Sequence, residues 1–197
     1  MIEAIAGIGT AFGLAGSAGL NAYIPLLIVA VASHYPLNNP LIELAEPYNA
    51  IGSPWAIAII AVLLLIEMLV DKIPAVDTAN DVIQTFVRPA AGAFLFAANA
   101  GVINDMNPAL ALGAGLVIAG GVHAAKGVAR PVVTASTAGT GNWLVSLGED
   151  VLSFGMTLIA LIMPFLAIII IMFIMGFLVY VLYRFRKRKE KNQLFKT

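Results

Sequence analysis

The chain has no cysteine, which removes disulfides, thiolate catalysis and cysteine metal sites from consideration. It is also poor in charge: 11% of its residues are charged, against 60% that are hydrophobic. That balance lies outside the range of soluble domains, and several apolar runs are long enough to cross a bilayer. Glu3 stands where a cleaved leader would carry basic residues, and no small-residue cleavage site precedes the first apolar run; a removable signal peptide is therefore not expected. Lys and Arg are absent from His34 to Ser53, a segment rich in Pro, Asn and Glu that reads as an aqueous loop. The glycines of the first run follow no strand and lead to no Gly-Lys-Ser/Thr, which excludes a nucleotide-binding loop.

What is present predicts an all-α membrane protein, a polytopic helical bundle of about six spans within a single domain, 1–183. The runs are 4–33, 54–71, 89–104, 109–126, 131–147 and 151–183, followed by a basic tail, 184–197. Broken or re-entrant helices are expected in three places. Gly19 to Pro25 interrupts the first run, 131–147 is small and polar enough to re-enter rather than span, and Pro164 divides the last run. That last run would measure roughly 50 Å if wholly helical. With six crossings and the N-terminus in the cytoplasm, Lys72, Arg88, Lys126, Arg130 and the tail fall inside, while Glu43, Glu46, Asp105, Glu149 and Asp150 fall outside. This is the positive-inside pattern, and it predicts a multi-pass protein of the cytoplasmic (inner) membrane with both termini cytoplasmic.

The scarce charge concentrates between Glu67 and Arg88. Asp77, Asp81, Thr85 and Arg88 are spaced by four, four and three, which puts them on one face of a helix beginning near Pro74. His123, Lys126 and Arg130 form a basic counterpart at spacings of three and four. Superposing Arg88-Pro89 on Arg130-Pro131 aligns Asp81 with His123 and Gln84 with Lys126, an internal repeat of two hairpins whose interface would be a transporter's binding site. Glu67 lies within an apolar run, where an acid must be paired, protonated or wetted; it reads either as a structural partner of Lys72 or Arg130 or as a protonatable carrier.

Two readings of these residues stand. The acidic and basic stripes neutralise each other, or they line a substrate or ion pathway made of Glu67, Asp71, Lys72, Asp77, Asp81, Arg88, His123, Lys126 and Arg130. Thr134, Ser136 and Thr137 would add hydroxyls to such a site, and Asn21 and Asn142 amides that either line the path or join helices. His123 suits a proton carrier. The tail from Arg184 to Lys191 predicts contact with anionic lipid headgroups rather than nucleic acid.

The segments Gly16-Ser17-Ala18-Gly19-Leu20-Asn21-Ala22-Tyr23 and Asp71-Lys72-Ile73-Pro74-Ala75-Val76-Asp77, the pair Arg88-Pro89 and the threonine-rich stretch Thr134 to Thr140 resemble the DUF4126 family of small bacterial membrane proteins. The resemblance covers most of the chain up to about Pro164. It implies a membrane class and supplies no activity.

The leading functional expectation is a small secondary transporter or flippase-like carrier for a small or lipid-linked anion, proton-coupled and acting within a homo-oligomer, with no cofactor. The alternatives are an ion channel, a non-catalytic membrane scaffold, or a Mg²⁺-dependent enzyme in which Asp77 and Asp81 hold the metal against a lipid (di)phosphate. An enzyme is the less favoured reading.

Overall fold

The computed structural model describes residues 2–70, 74–99, 106–137, 141–170 and 172–173, and over these the chain is helical, without strands. Six helices form the bundle: α1 (Ile2–Leu20), α2 (Tyr23–His34), α3 (Pro54–Val70), α4 (Pro74–Asn99), α5 (Pro108–Thr137) and α6 (Asn142–Ile162). Helices α3, α4 and α5 each open on a proline, whose missing N–H costs nothing in the first turn and whose fixed φ suits helix initiation. The 35–53 loop carries a 3₁₀ turn, Tyr48–Gly52, and packs Ile42 and Leu44 against the bundle. Tyr48 meets Phe94 edge to face at 5.2 Å.

Helix α1 is the central element, because its small residues allow neighbours to approach closely. Ala11, Leu14, Ala15, Ala18 and Ala22 are wholly buried against α4, α5 and α6. A Cβ on Gly13 would collide with Ala160 of α6. Gly92 of α4 faces Gly115 of α5, and a side chain on either would strike the other's carbonyl oxygen. This is the small-residue packing that helices use where lipid removes any hydrophobic drive to associate.

The direction of each helix follows from its contacts. Phe12 of α1 meets Phe96 of α4 edge to face, and Ala15 lies against Gly92, so these helices are antiparallel. Helices α4 and α5 are antiparallel as well, with Phe96 at Gly115 and Thr85 at His123. The first apolar run breaks where Gly19 to Pro25 predicts, and it then reverses: α2 sets Tyr23 beside Gln84, while the loop that follows it bonds Ala45 to Ala98 at the far end of α4. The run is two helices that turn back at Asn21-Ala22, not one straight crossing.

Two further bounds differ from the apolar runs. Helix α5 continues through Arg130-Pro131 to Thr137, so 131–137 extends α5, and α6 passes unbroken through Gly148-Glu149-Asp150. The superposed helices of the expected repeat do not share a start, since α4 begins at Pro74 whereas its counterpart Leu116 lies well inside α5; Pro131, the counterpart of Pro89, sits inside α5. Pro89 likewise sits inside α4. The expected break at Pro164 is present: α6 ends at Ile162 and helical turns resume over 164–170.

Pro108–Val128 and Trp143–Ile162 are long and apolar enough to cross a membrane, and just 17% and 28% of these windows is buried. A helix in the core of a soluble protein would be mostly buried; here the apolar side chains face outward, as do Trp55, Leu65 and Leu69 of α3.

Candidate functional site

A belt of polar side chains crosses the bundle at the level of the Asn21 break. At its centre Arg88 of α4 donates from Nη2 to Glu67 Oε1 of α3 at 3.1 Å. Both are almost completely removed from the surface, at 1% and 2% exposure. Gln84, one turn before Arg88 on the same face of α4, is 1% exposed. Its amide bonds the hydroxyl of Tyr23 from α2, and Glu67 and Arg88 both act electrostatically on that tyrosine. Gln84 Oε1 and Arg88 Nε and Nη1 have no hydrogen-bond partner among the described residues. Since Oε1 is unpartnered, the amide meets Tyr23 through its N–H₂ group, which donates to the phenolic oxygen.

The partner expected for Glu67 was Lys72 or Arg130; the structure pairs it with Arg88. Helix α3 packs chiefly on α2 and meets α4 in few places; Glu67 reaches Arg88 about four turns into α4, where the two helices approach. A second ion pair joins Lys126 of α5 to Glu149 of α6, again largely buried. Glu149 and Asp150, expected in an outer loop opposite the basic residues, thus share the level of Lys126 and Asn21. Continuity of α6 carries them there, and pairing with Lys126 lets Glu149 remain inside without an aqueous loop. The described ion pairs link α3 to α4 and α5 to α6, while α4 and α5 meet through Thr85 Oγ1 and His123 Nε2, 3.2 Å apart.

Asn21 holds the break. Its Oδ1 accepts the N–H groups of Tyr23 and Ile24 at 3.0 and 3.1 Å, capping the start of α2, and its Nδ2 donates to Asp150 Oδ1 at 2.8 Å. Ser153 Oγ donates to the Ser17 carbonyl at 3.0 Å and lies 3.3 Å from the Asn21 carbonyl. Thr157 Oγ1 lies 3.0 Å from Ser17 Oγ. Of the two readings for Asn21, the structure supports the joining of helices.

Of the residues singled out from the sequence, the structure gathers Asn21, Glu67, Arg88, His123 and Lys126 into this belt. Asp71 and Lys72 lie outside the described residues. Asp77 and Asp81 are on α4, Arg130, Thr134 and Thr137 on α5, and Asn142 opens α6, but their side chains lie outside the described residues. Among the described residues no group of three or more His, Asp or Glu converges as metal ligands would.

Tyr23, Gln84, Glu149, Asp150, Ser17, Ser153 and Thr157 were not singled out as site residues. Their signal is matched spacing: Ser17 and Asn21 are four apart, as are Ser153 and Thr157 and also Gln84 and Arg88. Each pair marks one polar face on a helix.

Fold and belt together define a helical bundle of the membrane class with ionised side chains held in its interior. The chain belongs to the DUF4126 family, a domain of unknown function whose model matches residues 8–184. No curated protein and no solved structure matches it.

Proposed function

We propose that the protein is a small proton-coupled carrier of a small anion, with Arg88 as the anion-binding group and Glu67 as the proton-exchanging one. The observation that carries this reading is the incomplete coordination of Arg88. A buried arginine kept for structure is paired and hydrogen-bonded throughout, because each unsatisfied donor in an apolar interior costs about 1–3 kcal/mol. Arg88 instead has one described acceptor, Glu67 Oε1, and two nitrogens without any. An intramembrane charge in that state is a candidate ligand site.

The chemistry follows from charge balance. With Glu67 ionised, it neutralises Arg88 and the pair carries no net charge. A proton taken up on Glu67 cancels that acid's charge, and an anion then binds the guanidinium in its place. The loaded site is again neutral, which favours movement of the two cargoes together in a one-to-one ratio. Release of proton and anion on the other side lets Glu67 and Arg88 pair again. The groups facing this exchange are Tyr23 from α2, Gln84 from α4 and, one contact further, His123 of α5 on Thr85.

The setting is the cytoplasmic membrane. Arg88 and Lys126 stand at the belt end of the bundle, whereas Glu43 and Glu46 lie in the 35–53 loop at the far end, so the belt end faces the cytoplasm by the positive-inside rule. Because the first run folds back at Asn21-Ala22, α1 starts at the far end, and this orientation sets it opposite the cytoplasm, against the cytoplasmic N-terminus expected from six crossings.

Proteoliposomes with an internal pH dye test the proposal. An inward nitrate or glycolate gradient should acidify the lumen in step with anion entry, beyond any change in protein-free vesicles. Arg88→Gln should abolish entry, and Glu67→Gln should leave anion exchange while removing the pH change. If anion flux is absent, or is the same in both variants as in the parent, the carrier reading fails.

A further inference from the structure

The unsatisfied atoms at the site are of two kinds. Arg88 Nε and Nη1 are donors, and Gln84 Oε1, one helical turn away on the same face, is an acceptor. Gln84 cannot satisfy its oxygen through Tyr23, because its amide nitrogen already makes that contact. A ligand that fills the site must therefore offer acceptors to the arginine and a donor to the glutamine. Chloride, nitrate and a simple carboxylate offer acceptors alone. Each would leave Gln84 Oε1 buried without a donor and facing like partial charge.

Resting on the carrier reading above, we infer that the anion taken by this site bears a hydroxyl of its own: a small hydroxylated oxyanion of the bicarbonate or α-hydroxycarboxylate type. One of its charged oxygens accepts from Arg88 Nε or Nη1, whose N–H groups lie on different edges of the guanidinium, and its O–H donates to Gln84 Oε1. Tyr23 fixes the amide in this sense, since its phenolic oxygen accepts from the N–H₂ group and turns the carbonyl toward the ligand. Tyr23 is thus a positioning residue and Gln84 the specificity-determining one. A site built to receive a hydroxyl discriminates strongly against an isostere that lacks it, because its buried partner is then left unpaired.

Isothermal titration of the full-length protein in nanodiscs tests this with two matched pairs of probes. Bicarbonate and nitrate are planar monoanions that differ in the hydroxyl; glycolate and acetate differ in the same way. The hydroxylated member of each pair should bind roughly ten- to hundredfold more tightly, the gap expected of one buried acceptor satisfied or orphaned. Gln84→Met should close that gap by weakening bicarbonate and glycolate while nitrate and acetate, no longer facing the amide oxygen, bind at least as well as in the parent, and a cooperative thermal unfolding transition shows that the variant is folded. Tyr23→Phe should narrow the gap in the same direction. Equal affinities within each pair in the parent, with binding still lost in Arg88→Gln, would overturn the hydroxyl inference and leave the carrier standing. Failure of all four probes to bind, or binding indifferent to Arg88→Gln, overturns both.

Discussion

Removing Glu67 and removing the whole Glu67–Arg88 pair should have opposite consequences for stability. At 3.1 Å the two charges attract by about 5 kcal/mol for an effective dielectric near 20. Desolvating them costs several kcal/mol per ion, so the intact pair contributes little net stability. Glu67→Ala keeps that cost for Arg88 and loses the attraction; it should destabilise the bundle by about 3–5 kcal/mol. For a chain of this size that lowers Tm by about 6–20 °C. The apolar double variant Glu67→Leu, Arg88→Met removes both charges and should recover most of the loss, or exceed the parent by about 1–4 kcal/mol. Thermal unfolding in nanodiscs of Glu67→Leu, Arg88→Met and the double variant, each against the parent, completes a double-mutant cycle, and proteoliposomes give the flux of each variant. The double variant should be as stable as the parent and carry no anion. Independent, additive effects of the two single substitutions would refute the pairing, and a double variant that still transports would refute the assignment of function to it.

The remaining predictions concern the frame around that pair. Lys126→Met should cost about 3–5 kcal/mol by removing the cation that faces the largely buried Glu149, and adding Glu149→Leu should restore it, as read by the same unfolding assay. Gly115→Ala drives a methyl group toward the Gly92 carbonyl and Phe96, so it should destabilise by about 1–3 kcal/mol. Gly121→Ala, on the same helix with open space around it, should stabilise by about 0.5–1 kcal/mol, and a ranking of the two melting temperatures checks both. Asn21→Ala removes the cap of α2 and the bond to Asp150; a loss of about 1–2 kcal/mol is expected, and hydrogen exchange should show faster opening at the N–H groups of Tyr23 and Ile24.

Much of the frame was legible from composition and local pattern. Apolar runs marked α3, α5 and α6 because a bilayer demands long stretches with few charges. The break at Asn21 was legible because an amide among glycines ahead of Pro25 cannot continue a helix comfortably. Glu67 and Arg88 stood out because ionised residues in such a chain are rare and costly. The ends of α5 and α6 were not legible, since Arg130-Pro131 and Gly148-Glu149-Asp150 read as interruptions on local grounds. Helices in a bundle override such signals when neighbouring helices satisfy the polar groups, as Lys126 does for Glu149.

The sequence by itself determined the helical membrane class, the small-residue character of α1, the position of its break and the short roster of buried charges, because each depends on hydropathy, spacing or backbone preference along one stretch. Tertiary structure decided which charges meet. The reversal after Asn21 places Tyr23 beside Gln84, the approach of α3 to the middle of α4 gives Arg88 to Glu67, and the continuity of α6 gives Glu149 to Lys126. Pairing energies fall steeply with distance, and distances between helices are set by how Gly13, Gly92 and Gly115 let them approach. No reading of one helix at a time contains that information.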